Sequence, residues 1–195
     1  MLPKQSLSSL PRLIILAAPS GGGKTTLCDL LLKEFPTISL SVSTTTRPKR
    51  PNENDGVHYH FVTEEQFENK IEHNDFAEWA FVHHNRYGTS RSTIEDQFKK
   101  GHHVLFDIDV QGAKSLKSLY PQQALLIFIL PPSIEELERR LRARKGDTEV
   151  AILNRLVNAR QEISQAGWFD YQITNENLQD TYQQLRTIVE KECGL

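Results

Sequence analysis

Residues 12–35, RLIILAAPSGGGKTTLCDLLLKEF, contain two apolar runs of different spacing with a cluster of glycines between them. The first run, RLIILA, is short, almost continuous and followed by proline and glycine, which predicts a buried strand. In the second run, leucines and Phe35 recur at helical spacing until Pro36 ends the pattern. A strand, a glycine-rich turn and a helix in this order form the context that a phosphate-binding loop requires.

The glycine-rich loop departs from the pattern G-x-x-x-x-G-K-[ST] only at its first position, where the chain has Ala18. Alanine is tolerated there if its φ stays negative, and three successive glycines let backbone N–H groups face inward toward a phosphate. Lys24 would reach the β- and γ-phosphates, and the Thr25 hydroxyl would ligate Mg²⁺. The predicted ATP-binding residues of the loop are Ala18, Pro19, Ser20, Gly21, Gly22, Gly23, Lys24, Thr25 and Thr26. The alternative is a glycine-rich turn with a surface lysine.

Two aspartates, Asp107 and Asp109, lie at the end of the apolar run HHVLFDIDV. Residues two apart point to the same side of a strand, and a carboxylate beside such a run is costly unless it has a partner. We predict that Asp107, together with Thr25, holds the metal or its water shell. Asp109 lies further out and could face a second ligand. The alternative is a pair that marks the solvated end of the strand.

The remaining pattern predicts an α/β fold, with a parallel sheet of the phosphate-loop NTPase type, flanking helices, an inserted strand-rich lobe and a helical lid. HHVLFDIDV and QALLIFILPP are typical of central parallel strands covered on both faces. The lobe contains many threonines, prolines and aromatic residues and one clear helix, TEEQFENKIEHN, which Thr63 could cap. The predicted ranges are 1–11 for a flexible N-terminal lead, 12–38, 92–131 and 159–195 for the core, 39–91 for the lobe and 132–158 for the lid.

Composition narrows the class of protein. A chain of 195 residues is about one domain, and 38% apolar and 25% charged residues are typical of a globular protein. A net charge of -2 gives no sign of nucleic-acid binding, and two distant cysteines predict reduced thiols. There is neither a signal-peptide pattern nor an apolar run of about 20 residues. We therefore expect a cytoplasmic protein without membrane contact, nucleic acid or an obligate protein partner.

The lobe supplies candidate groups for the phosphate of an acceptor. Arg47 and Arg50 lie on either side of Pro48, which stiffens the segment, and two guanidinium groups can each bind a phosphate dianion in bidentate fashion. Tyr59 and Tyr87 could add hydroxyl donors. The alternative is a solvated Thr-Arg-Pro loop.

With these residues the chain resembles the guanylate kinases, from about Arg12 to the last helix. The matching strings are APSGGGKTT, SVSTTTRPKRPNENDGVHYHFV, FAEWA, NRYGTS, DIDVQGA, FILPPS and the arginine-bearing lid. Many bacterial members also resemble APSG at the loop, so Ala18 is a family variant. The resemblance implies an enzyme of purine nucleotide metabolism that reversibly phosphorylates GMP, and also dGMP, with Mg-ATP.

The resemblance also implies roles for single residues. Acceptor phosphate would be held by Arg47, Arg50, Tyr59 and Tyr87, and guanine would be read by Ser43, Glu78, Thr89 and Asp109. Guanine presents N1–H beside its 2-amino group, so the carboxylate of Glu78 can accept both bonds, which adenine cannot offer. Asn175 matches an adenine-side asparagine. Lid arginines would close over ATP, so the expected catalytic residues are Lys24, Arg47, Arg140, Arg144 and Arg155.

Two other functions share part of this pattern. Guanylate-kinase-like modules of scaffold proteins hold phosphopeptides and have lost the phosphate loop, which this chain keeps. A related kinase that acts on ribose bisphosphate shares the loop and should lack the full guanine-reading set.

Overall fold

Five parallel strands form the core sheet of the computed structural model, which describes residues 10–82, 84–143 and 148–195. They are β1 (Leu13–Ala17), β2 (Ile38–Leu40), β7 (His103–Asp107), β8 (Ala124–Leu130) and β9 (Tyr171–Thr174). Their order across the sheet is β2-β7-β1-β8-β9, and each neighbouring pair is parallel. The strand that precedes the glycine loop is therefore central, and the two apolar runs predicted as central strands lie on either side of it.

Helices cover both faces of this sheet because successive side chains of a strand point to opposite sides. The flanking helices are α1 (Lys24–Glu34), α3 (Arg91–Lys99), α4 (Val110–Leu119) and α7 (Leu178–Cys193). Ile14 and Leu16 pack with α1 and α7, whereas Leu13 and Ile15 pack with α3 and α4. The sequence analysis predicted α1 and a last helix, which is α7, and did not identify α3 or α4.

A second sheet forms the lobe inserted after β2. Its strands are β3 (Thr44–Thr45), β4 (His60–Phe61), β5 (Phe76–Val82) and β6 (Asn85–Ser90), in the order β4-β3-β6-β5. Helix α2 (Glu64–Glu72) packs on it through Phe67, and Thr63 caps that helix in a capping box with Gln66, as its sequence predicts. The exact boundaries of lobe, lid and core stay predictions.

Two further helices, α5 (Ile134–Ala143) and α6 (Glu149–Ile163), lie where the lid is predicted. They share a small core that includes Leu137, Leu141 and Leu156. Leu137 and Leu141 also approach the glycine loop, because a Cβ at Gly21 would lie 3.2 Å and 3.1 Å from their methyl groups. No helix of the described part of the chain is long and apolar enough to cross a membrane.

Candidate active site

The loop between β1 and α1 forms a cradle of backbone groups. Gly22 N donates to Pro19 O at 2.8 Å, and Gly21 and Gly23 have φ angles of +94° and +90°, which favour glycine. Gly23 is the N-cap of α1, so the positive end of the helix dipole lies at the loop. All nine residues of the predicted phosphate loop, residues 18–26, line one cavity of about 250 Å³. This geometry suits an anion with several oxygens.

Lys24, Thr25 and Asp107 meet at the carboxyl end of β7. Lys24 Nζ lies 2.9 Å from Asp107 Oδ1 and donates to Ile108 O at 2.8 Å. Thr25 Oγ1 donates to Asp107 Oδ2 at 3.2 Å. A hydroxyl beside a carboxylate fits Mg²⁺, which is held by one or two protein oxygens together with substrate phosphates. In the described residues no group of three or more His, Cys, Asp or Glu could enclose a metal ion.

A second cavity, of about 160 Å³, lies between the lobe and the carboxyl edge of the core sheet. Its polar lining comes from both sides of the cleft: Lys24, Ser43, Tyr59, Glu78, Tyr87, Asp107 and Asp109. The structure therefore brings five of the eight predicted GMP-binding residues to one cavity. Thr89 is hydrogen-bonded to Glu78, which is one of these five. Arg47 and Arg50 are not part of this lining.

Glu78 is a buried carboxyl group of β5, with 8% of its surface exposed. It pairs with Thr89 of β6 in the strand register, and Thr89 Oγ1 donates to Glu78 Oε1 at 2.6 Å. Burial raises the pKa of Glu78 to about 7; the charge of Asp109 adds to this, and the Thr89 hydrogen bond opposes it. Its second oxygen, Oε2, lies 3.2 Å from where a Cβ of Gly112 would stand. A side chain at position 112 would thus crowd this carboxylate.

Asp109 was predicted to share a strand with Asp107, and this is wrong. Strand β7 ends at Asp107, and Asp109 is the N-cap of α4, where its Oδ1 accepts from Gly112 N at 2.8 Å. The cap explains the difference, because an N-cap residue satisfies a helix N–H that would otherwise lack a partner. Both aspartates nevertheless line the same cleft.

Glu53, which the sequence analysis did not single out, organises the acceptor-side arginines. Its Oε1 lies 2.7 Å from Arg47 Nη2, and its Oε2 accepts from Arg50 N at 2.9 Å. The Arg47 hydrogen bond, followed by the Arg50 backbone bond, lowers the pKa of Glu53 to about 2. The Arg47 guanidinium also lies 5.4 Å from the centre of the Tyr59 ring. The regular spacing of opposite charges at positions 47, 50 and 53 was the available sequence signal.

The predicted lid arginines occupy different environments. Arg140 of α5 bonds Glu136 through Nε at 2.8 Å and donates from Nη2 to Asn175 O at 3.1 Å. Arg155 is half-buried on α6. Arg144 lies outside the described residues.

Asn175 follows β9 and contacts the glycine loop. Only 6% of its surface is exposed, and its Nδ2 donates to Gly22 O at 2.8 Å. Its Oδ1 lies 3.1 Å from Thr181 Oγ1. Both ends of the predicted adenine-side amide therefore have protein partners.

Comparison with known proteins gives one consistent result. The family model "Guanylate kinase" matches residues 10–192. A guanylate kinase of Syntrophotalea carbinolica is 49% identical over 177 residues, which cover 91% of this chain and 84% of that protein. One from Lawsonia intracellularis is 50% identical over 173 residues, covering 89% and 81%.

Solved structures agree in fold. The crystal structure of guanylate kinase from Anaplasma phagocytophilum is similar with a TM-score of 0.78 and 34% identity, covering 94% of this chain and 87% of that one. The SH3-kinase fragment of tight junction protein 3, at 14% identity and a TM-score of 0.53, covers 96% of this chain and 60% of that one. That second likeness concerns the fold alone.

Proposed function

This chain belongs to the guanylate kinase family and phosphorylates GMP with ATP, and we propose which of its residues bind the donor and which bind the acceptor. The observation that carries the proposal is the position of Lys24, which lines both the cavity of the glycine loop and the cleft under the lobe. A donor triphosphate in the first cavity and an acceptor phosphate in the second would meet at this ammonium group.

The donor side is the glycine loop. Its N–H groups and the N-terminus of α1 would hold the β- and γ-phosphates of ATP, with Lys24 released from Asp107 to reach them. Mg²⁺, when bound at this site, would neutralise negative charge on the phosphates. The hydroxyl of Thr25 and the carboxylate of Asp107 would hold it, since they are adjacent oxygen ligands.

The acceptor side is the cleft under the lobe. We assign the base to Glu78 and Asp109, because the two donors on the guanine edge match carboxylate acceptors, and Ser43 lines the same cavity. Thr89 orients Glu78 through its hydroxyl. We expect dGMP to serve as an acceptor in the same cleft.

The phosphate of GMP is assigned to Arg47, Arg50, Tyr59 and Tyr87. Tyr59 and Tyr87 lie edge to face with ring centres 5.8 Å apart, and both line the cleft. Arg47 is not part of the cleft lining, but its guanidinium lies 5.4 Å from the centre of the Tyr59 ring.

Phosphoryl transfer depends on positioning and charge neutralisation more than on proton transfer. The attacking group is an ionised phosphate oxygen, so the chain has no need of a general base. Lys24 and Arg47, with Arg140, Arg144 and Arg155 from the predicted lid, would spread the charge on the transferred group.

A coupled assay of ADP release tests the proposal with GMP, dGMP, AMP, UMP and ribose bisphosphate as acceptors. We expect turnover with both guanine nucleotides and a loss of several orders of magnitude with the others, as for sites that match a polar edge. In the Lys24→Ala variant turnover should disappear, because Lys24 lines both the donor cavity and the acceptor cleft. Equal rates with AMP and GMP, or no turnover with any acceptor, would refute the assignment.

A further inference from the structure

Asn175 connects the glycine loop to β8 and α7 of the core and to α5 of the predicted lid. Its side-chain amide donates to Gly22 O in the loop, and its amide oxygen lies beside Thr181 Oγ1 on α7. Its backbone N–H donates to Leu130 O at the end of β8, at 2.8 Å. Its backbone carbonyl accepts from Arg140 of α5. The residue is therefore fixed on all four of its polar groups.

The glycine loop passes close over the side-chain amide of Asn175. A Cβ at Gly23 would lie 2.5 Å from Asn175 Nδ2, closer than any real contact, and the φ of +90° at Gly23 independently favours glycine. The amide thus fills the space that the missing side chain leaves. It lies under the loop, with its donor directed at the backbone.

The contact fixes the direction of one peptide group. In a trans peptide the C=O of one residue and the N–H of the next point in opposite directions. Because Asn175 holds Gly22 C=O toward the protein interior, the N–H of Gly23 must point away from Asn175. Gly23 lines the cavity of the loop, so this N–H is directed toward the place assigned to the phosphates.

We propose that Asn175 is a positioning residue of the phosphate loop: it holds the Gly22–Gly23 peptide so that the Gly23 N–H meets the donor triphosphate, and its carbonyl holds Arg140 beside the same loop. This role concerns the triphosphate and differs from the adenine-side role that the sequence resemblance implies. The inference rests on the proposed phosphate-binding role of the loop.

The test separates the triphosphate from the base. The affinities of Asn175→Ala and Asn175→Asp are measured for ATP, ITP, inorganic tripolyphosphate and GMP, all with Mg²⁺, by titration calorimetry. Aspartate keeps the shape of asparagine but places an acceptor opposite Gly22 O. For both variants we expect ATP, ITP and tripolyphosphate to weaken by a common factor of about ten or more, the size expected when a buried carbonyl loses its donor. GMP affinity should stay within about twofold of wild type.

Asn177→Ala is the matched control. Asn177 caps α7 two residues further along, and its Oδ1 accepts from Asp180 N at 2.8 Å. Loss of this cap should lower the stability of the fold without a change in tripolyphosphate affinity. If Asn175→Ala does not fold, the comparison is made with Asn175→Asp alone.

Three results would overturn the inference. The first is a loss confined to ATP, which would mean that Asn175 contacts adenine. The second is an equal loss of GMP affinity, which would mean a general effect on the fold. The third is wild-type tripolyphosphate affinity in both variants. Failure of the wild-type protein to bind tripolyphosphate would instead count against the proposed role of the loop, so the two failures are distinguishable.

Discussion

Lowering the pH from 8 to 6 should weaken GMP binding through Glu78. Burial raises the pKa of this carboxyl to about 7, and guanine offers two donors that need an ionised acceptor. About nine-tenths of Glu78 is ionised at pH 8 and about one-tenth at pH 6, so the apparent Kd should rise about tenfold between them. At pH 7 about half of the molecules must lose a proton to bind, so GMP binding should release about 0.5 proton from this group.

The phosphate of GMP titrates in the same range, since its second pKa is about 6. The Glu78→Gln variant separates the two effects, because glutamine keeps the shape of the side chain and can still accept from Thr89. Its GMP affinity should be lower than that of wild type at pH 8 and should follow only the phosphate as the pH falls. The assay is titration calorimetry in buffers of different ionisation enthalpy, which gives both Kd and the number of protons released. If wild type and variant show the same pH profile and the same proton release, Glu78 does not bind guanine as a carboxylate.

Three further outcomes are expected. The pKa of Glu78 is about 7 in the folded state, against an ordinary value of 4.5. The contribution of Glu78 to the free energy of unfolding is therefore fully present below pH 4.5 and is lost as the pH rises through 7. At pH 8 the buried charge of Glu78 costs about 3 kcal/mol, so Glu78→Gln should have a higher free energy of unfolding in urea than wild type. This advantage should disappear at pH 4.5. If the two proteins differ by the same free energy of unfolding at both pH values, the pKa assignment is wrong. Glu53→Gln should raise the KM for GMP about fivefold with little change in the KM for ATP. The control is Glu68→Gln, which breaks an exposed ion pair of the same lobe and should leave both KM values near those of wild type. Equal steady-state kinetics for the two variants would refute the role of Glu53 in positioning the arginines. Gly112→Ala should raise the KM for GMP about fivefold, because the added methyl group would crowd Glu78. Gly167→Ala is the control, since Gly167 has open space around it. Equal KM values for the two variants would show that position 112 does not affect the guanine site.

Local signals made part of this structure predictable. The phosphate loop, its strand and its helix follow from residues 12–35, and α2 follows from a capping box that lies within four residues. Helix α4 was missed, although its N-cap, Asp109, was already in view as a candidate ligand. A single carboxylate can both cap a helix and line a cleft, and sequence spacing does not separate the two roles.

Contacts between distant parts of the chain were not predictable in this way. Asn175 and Gly22 are 153 residues apart, and the pairing of β9 with β8 and of β8 with β1 brings them together. The burial that raises the pKa of Glu78 likewise arises where the lobe faces α4, which no local pattern encodes. The family resemblance pointed to Asn175 and Glu78, whereas their contacts arise only in the folded chain.

The ion pair between Lys24 and Asp107 has a consequence for selectivity among cellular anions. An isolated ammonium group at the base of a glycine loop would attract free phosphate, sulfate and other small anions that are abundant in a cell. Here the charge is already compensated at 2.9 Å, so an arriving anion must compete with a carboxylate for it. A single small oxyanion engages few loop groups in exchange, whereas a triphosphate engages many. The resting pair thus keeps the donor site open for nucleotide.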